Sequence, residues 1–346
     1  MPAVQPGSKV LVTGANGFVA VWVIRKLLEA GYLVRGTIRS SAKGDHLREV
    51  FKDFIDRLEL VVVPDIIKDG AFDEAVVGID AIEHVASPFH FHANDPAELI
   101  EPAVKGTIGL LTSAMKAGPR IQRVVITSST AAVARFTDKP ILFNEDDWND
   151  PSIQEVQDKG RDAPNIIKYF ASKTLAERAA WQFMKEHQSS IQWDLVTIAP
   201  PYPSLNEIAD PSSANTSVNE WYQTVLRSSK TQDELKFGNA WVDVRDVALA
   251  HVRSIQRSEA VGRIIVCAGS FVWYEWVNAV HSLTPSIYPS TSYPQIDLAW
   301  VSSSAIHIFK FDTSRAVNLL GITQVDYIPI EECARDMLVD FKSRGW

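Results

Sequence analysis

The sequence predicts an α/β protein: a doubly wound parallel sheet with helices on both faces, joined to a smaller C-terminal lobe built from insertions. Three observations predict this. Short runs rich in Val, Ile and Leu alternate with segments of helical apolar spacing through the first half of the chain, as repeated βαβ units do. The first run ends in a glycine-containing turn that opens directly into a helical segment, the arrangement of a first crossover in such sheets. After Ala199 the texture changes: Pro200, Pro201 and Pro203 break regular structure, and residues 210–217 are polar and rich in small side chains, so the chain is expected to leave the sheet there.

Taken in order, residues 9–13, 32–38, 58–63, 80–86, 122–127 and 193–199 read as strands, because β-branched and apolar residues cluster as they do in strands buried on both faces. Residues 18–30, 45–57, 96–117 and 165–181 repeat apolar side chains at helical spacing, with polar or small residues opposite. The chain is expected back in the sheet at 240–253 and 263–266, and out again through 271–294 into the tail. This interleaving predicts a sheet domain of residues 1–199 completed by 240–269, and a lobe of residues 200–239 and 270–346. At 346 residues the chain is long enough for both.

A formal net charge of -8 argues against a surface built for nucleic acid or anionic lipid, since both attract basic faces. Residues 10–28 form the longest apolar stretch, but Gly14, Asn16 and Gly17 interrupt it and Arg25 and Lys26 lie inside it. Strand, turn and helix explain it better than a membrane span. Residues 1–8 lack the basic start and cleavage site of a signal peptide, and only Cys267 and Cys333 carry thiols. A cytoplasmic protein with two buried thiols is the expectation.

The first strand runs into Thr13-Gly14-Ala15-Asn16-Gly17-Phe18-Val19-Ala20, a Gly-x-x-Gly-x-x-Ala spacing at a helix start. Glycine lets the backbone approach a pyrophosphate, and the helix N-terminus offers unpaired N–H groups and partial positive charge. Thr13, Gly14, Asn16, Gly17, Phe18 and Val19 are therefore candidate dinucleotide-binding residues. At the end of the second strand an acidic residue would hydrogen-bond the ribose of NAD, but the segment reads Thr37-Ile38-Arg39-Ser40-Ser41-Ala42-Lys43. Arg39 is placed to pair with the 2′-phosphate of NADPH, with Lys43 as a second charge. The alternative is that both are solvated surface charges.

Among eight tyrosines only Tyr169 has a lysine four residues on, Lys173, a spacing that stacks both on one helical face. A tyrosine with a pKa of about 10 is a poor acid at neutral pH, and a neighbouring ammonium favours its phenolate. The fifth strand ends in Thr127-Ser128-Ser129-Thr130, and ligands of open α/β sheets sit beyond the carboxyl ends of strands. A serine hydroxyl there suits a substrate oxygen; a turn or cap serine is the alternative, notably for Ser128.

Residues 13–20, 127–130 and Tyr169-Phe170-Ala171-Ser172-Lys173 together resemble the extended short-chain dehydrogenase/reductase family, over nearly the whole chain. Val34-Arg35-Gly36-Thr37-Ile38-Arg39, His84-Val85-Ala86-Ser87-Pro88 and Trp241-Val242-Asp243-Val244-Arg245-Asp246-Val247 are similar to its fungal aldehyde and methylglyoxal reductases and its dihydroflavonol reductase-like ketoreductases. The resemblance implies a Rossmann-type sheet with a substrate-binding lobe, NADPH/NADP+ as cofactor, and reduction of a small aldehyde or ketone. Ser129 would polarise the carbonyl, Tyr169 protonate its oxygen, and Lys173 also hold the nicotinamide ribose. It further implies cofactor contacts from Asp65, Ile66, Ala86, Ser87, Thr127 and Pro200. Where relatives show Asn-Pro and a glycine-containing loop, this chain has Ala199-Pro200-Pro201-Tyr202, a departure that leaves the catalytic residues untouched.

His90 and His92 form a His-x-His, but no third ligand accompanies them at a recognisable spacing, and no metal is expected. Phe91, Tyr202 and Trp221 are candidates for the substrate pocket, with hydrophobic core as the alternative for Phe91 and Trp221. Asp243, Arg245 and Asp246 read as a structural charge cluster. The expected partner is a small carbonyl compound, with the protein a monomer or homodimer. Two rival functions suit the same fold: a nucleotide-sugar epimerase or dehydratase holding NAD, against which Arg39 argues, and a non-catalytic dinucleotide sensor, which has no need of the Tyr169–Lys173 pair.

Overall fold

The computed structural model describes residues 4–87, 93–204, 216–295 and 305–346. Its central sheet contains β1 (Lys9–Thr13), β2 (Leu33–Ile38), β3 (Leu58–Val62), β4 (Ala81–His84), β5 (Arg123–Thr127), β7 (Asp194–Ala199) and β10 (Gly262–Ile265). All run parallel, in the order β10-β7-β5-β4-β1-β2-β3. The order reverses between β1 and β4, so a crevice opens beyond the carboxyl ends of these two strands.

Alternation along β1 builds the two layers. Val10 and Val12 face a core shared with α1 (Phe18–Glu29) and α7 (Val244–Gln256), whereas Leu11 faces the core under α3 (Ala97–Ala117) and α5 (Asn165–Glu186). All three side chains are fully buried, each contributing roughly 1.5–3 kcal/mol of apolar transfer. The apolar stretch 10–28 is thus strand, turn and helix, and among the described residues no helix is long and apolar enough to cross a membrane.

The helix expected over 165–181 runs on to Glu186 as α5, and three further departures from expectation have a visible structural reason. The helix expected over 45–57 stops at Val50 as α2 (Asp45–Val50), because Phe51 turns out of helical geometry to bury its ring, and a 3-10 segment follows over Lys52–Arg57. Strand β4 ends at His84 because the next two backbone N–H groups, of Val85 and Ala86, leave the ladder and donate to Thr13 Oγ1. The expected return to the sheet at 240–253 is made by α7 alone. Its preceding strand, β9 (Gly238–Asp243), lies in a second sheet between β8 (Tyr202–Ser204) and β11 (Gly269–Val272), while β10 takes the free edge of the main sheet.

Outside the main sheet, the second sheet and the later helices pack around aromatic rings that continue the core under α1 and α7. Trp221 of α6 (Thr216–Leu226), Trp276 of α8 (Trp273–Ser282) and Phe341 of α9 (Ile330–Ser343) meet with centroid separations of 5.8 and 5.9 Å from Trp221. A third, two-stranded sheet pairs β6 (Ile141–Phe143) with β12 (Phe309–Phe311), and α4 (Asp150–Lys159) packs beside α5. Arg245, at the start of α7, bonds both Asp243 and Asp336 of α9, and Asp246 accepts from Ile328 N at 3.0 Å. The cluster ties the C-terminal helix to α7, which is a structural role.

Candidate active site

Thr13 organises the turn after β1. Its hydroxyl oxygen accepts from Val85 N (3.1 Å) and Ala86 N (3.0 Å), and it lies 2.9 Å from His84 Nδ1. With both lone pairs engaged, the hydroxyl proton goes to Nδ1, which leaves the imidazole proton on Nε2. Burial, and then the Lys173 charge, push His84 down to about 3, so the ring is neutral and its Nδ1 is able to accept that proton. This knot pulls Ala86 against Gly14. A Cβ on Gly14 would lie 3.1 Å from Ala86 Cα, and Gly14 has φ +67°, so glycine is required twice over.

Beyond Gly14 the backbone is shaped from β2, where Thr37 Oγ1 accepts from Gly14 N (3.0 Å) and Thr37 O from Ala15 N (2.8 Å). Gly17 caps α1 without a side-chain acceptor, and the first turn of α1 carries no acidic residue. The first-turn N–H groups therefore meet neither a capping side chain nor a repelling charge, which fits an anion such as a diphosphate.

Next to Ala86 is Ser87, whose Oγ accepts from Lys173 Nζ at 3.0 Å. Lys173 stands over the ring of Tyr169, 5.9 Å from its centroid, as the four-residue helical spacing requires. Ser129 caps the 3-10 turn Thr130–Ala132 by accepting from Ala131 N, and its hydroxyl lies 3.5 Å from Pro200 O. It also stands close enough to the Tyr169 phenol to favour its ionised form. A single path of contacts thus runs from the glycine turn through Ala86 and Ser87 to Lys173, Tyr169 and Ser129. Burial pushes the Tyr169 phenol up to about 12, with the Ser129 hydroxyl opposing, and pushes the Lys173 ammonium down to about 8, with Glu177 opposing.

Against known families, residues 10–268 match the NAD dependent epimerase/dehydratase family. The chain belongs to it, as an extended short-chain dehydrogenase/reductase. It is 36% identical over 325 residues to ketoreductase azaE of Aspergillus niger, covering 91% of this chain and 93% of that protein. To aldehyde reductase 2 of Sporidiobolus salmonicolor it is 34% identical, covering 97% of each. Among solved structures, yeast methylglyoxal/isovaleraldehyde reductase Gre2 complexed with NADPH superposes with a TM-score of 0.84 at 30% identity, over 97% of this chain and 99% of that one.

Other expected site residues of this extended short-chain dehydrogenase/reductase take varied positions. Asn16 is exposed, and Phe18 and Val19 are half-buried at the start of α1. Arg39 and Lys43 are exposed past β2, and neither forms an ion pair among the described residues. Asp65 is exposed beyond β3, accepting from Ile67 N, while Ile66 packs toward Gly106 of α3. Pro200 is buried and its carbonyl accepts from Thr130 N. Thr127 turns inward: its Oγ1 lies 3.0 Å from His251 Nε2, and His251 Nδ1 lies 2.6 Å from the buried Glu83.

Of the pocket candidates, Phe91 lies outside the described residues, as do His90 and His92. Trp221 is fully buried among Trp276 and Phe341, so its indole is core of the lobe and not a free wall. Tyr202 begins the second sheet. Its hydroxyl donates to Ser217 O and its ring sits beside Phe271 and Trp273, along a cavity of about 230 Å³ that Lys230 and Glu220 also line. Glu177 and His251 carry no motif that singles them out beforehand. A glutamate four residues past Lys173 on a face that is otherwise buried was the one available signal for the first.

Proposed function

We propose that this protein reduces the carbonyl of a small aldehyde or ketone to an alcohol, using NADPH. The observation that carries the reading is the contact path from the glycine turn to Tyr169, which sets a proton donor beside a dinucleotide cradle. Bound NADPH supplies hydride to the carbonyl carbon. Gly14 to Val19 hold its diphosphate, Arg39 and Lys43 its 2′-phosphate, and Lys173 and Ser87 line the ribose side of the cleft. Ser129 donates a hydrogen bond to the carbonyl oxygen, drawing charge onto it. Tyr169 releases its phenolic proton to that oxygen; the Lys173 ammonium stabilises the phenolate left behind.

The two nearly matched relatives named for keto and aldehyde substrates favour a carbonyl over a nucleotide sugar. Phe136 stacked on Phe170 at 5.3 Å, beside the Tyr169 ring, gives the site an apolar margin suited to an alkyl or aryl substituent. A cytoplasmic setting suits the two free, buried cysteines.

NADPH oxidation against a panel of aldehydes, α-dicarbonyls, β-keto esters and aryl ketones tests the reading. Tyr169→Phe is expected to lower kcat at least about a hundredfold, the low end for a general acid, with NADPH binding retained. Near-normal turnover by that variant rules out the role given to the phenol.

A further inference from the structure

Four residues past Lys173 and eight past Tyr169, α5 carries a third ionisable side chain, Glu177, stacked on the same face by helical periodicity. It is 2% exposed. Its Oε2 accepts from Ser128 Oγ at the end of β5 (2.6 Å), and its Oε1 from Thr197 Oγ1 of β7 (2.7 Å), Arg263 Nε of β10 (2.8 Å) and Trp181 Nε1 of α5 (3.3 Å). A buried carboxylate persists only where it is surrounded in this way. Two of its relations bear on the site: Ser128 adjoins Ser129, and the Glu177 charge opposes what burial does to Lys173.

We propose that Glu177 is a positioning residue of the active site, holding the Ser128–Ser129 turn against α5 and setting a carboxylate behind the Lys173 ammonium. The inference rests on the carbonyl-reductase reading and adds to it a residue that touches neither substrate nor cofactor. Lys173 otherwise faces Tyr169 on its own helix, neutral His84 on β4 and the Ser87 hydroxyl. Glu177 faces the Arg263 guanidinium, which also donates to Glu145 O and Asp147 O and lies 3.6 Å over the Trp148 ring. Arg263 is therefore anchored independently of Glu177. Arg178, next along α5, turns outward to Asp150.

Two variants test the two halves. In Glu177→Gln the carboxylate charge is removed at constant shape, and the Lys173 titration midpoint is expected to fall by about one pH unit, read by carbon-13 NMR of labelled lysines with the resonance assigned through its loss in Lys173→Met. The alkaline limb of the kcat/KM profile should move with it. Ser128→Ala leaves every charge in place and frees the turn, so kcat is expected to fall about tenfold with an unshifted limb, since small misplacements at a reacting centre cost rates of this order. An unmoved Lys173 midpoint in folded Glu177→Gln overturns the proposal, and so does wild-type kcat in Ser128→Ala. The second variant decides alone where the first does not fold. The NMR titration needs no turnover: a shifted midpoint in a protein that reduces no carbonyl defeats only the functional reading, whereas turnover with an unshifted midpoint defeats only the role of Glu177.

Discussion

Arg39 follows the carboxyl end of β2, exposed and with no ion-pair partner among the described residues, so on the proposed reading a 2′-phosphate would meet a charge that has not been spent on a neighbour. Charge-assisted hydrogen bonds of this kind are worth about 1.5–3 kcal/mol. Arg39→Ala is therefore expected to weaken NADPH binding by about ten- to a hundredfold and NADH binding by less than about twofold, measured by calorimetry; equal losses for the two would detach Arg39 from the phosphate. At Lys173 the sign of the pH effect runs against stability. Its folded value of about 8 lies below its ordinary 10.5, so its stabilising contribution is fully present only above 10.5 and is lost as pH falls through 8. The proposed mechanism needs the charged form that burial disfavours, as expected of a group that serves chemistry and not packing.

At the scale of the element, β2 does more than pair with its neighbours. Thr37 accepts two backbone N–H groups of the glycine turn, and Gly36 sits so close beneath it that an added Cβ would lie 2.7 Å from Ala15 Cβ and 3.0 Å from Leu60 Cδ2. The turn is moulded by the second strand as much as by its own glycines. Gly36→Ala should cost about 1–3 kcal/mol of stability, the usual range for overpacking, and weaken NADPH binding as Ala15 is displaced. Denaturant unfolding with and without NADPH checks both; a variant as stable and as tight-binding as wild type would show that the turn has room to give.

For the molecule as a whole, the lobe is held by an aromatic core and by charges reaching from α7 to α9. Trp221 is the centre of that core and is fully buried. Trp221→Ala is expected to destabilise the protein by about 3–5 kcal/mol through cavity formation, with NADPH affinity of the folded protein kept, because the cofactor cradle belongs to the main sheet. A variant of unchanged stability but altered KM would instead return Trp221 to the substrate pocket.

The sequence alone determined whatever rests on local periodicity and on contacts close in the chain. The strands of the main sheet, the glycine turn at the start of α1 and the Tyr169–Lys173 stack were legible because each is set by spacing within a few residues. Tertiary structure decided what depends on partners distant in sequence. Strand β9 reads like a member of the main sheet, yet which sheet it joins is set by β8 and β11. Trp221 reads equally as pocket or core until Trp276 and Phe341 arrive. Glu177 looks like one more helical acid until Ser128 just past β5, Thr197 of β7 and Arg263 of β10 close around it. Burial and long-range hydrogen bonding are properties of the assembled layers, and no window of sequence contains them.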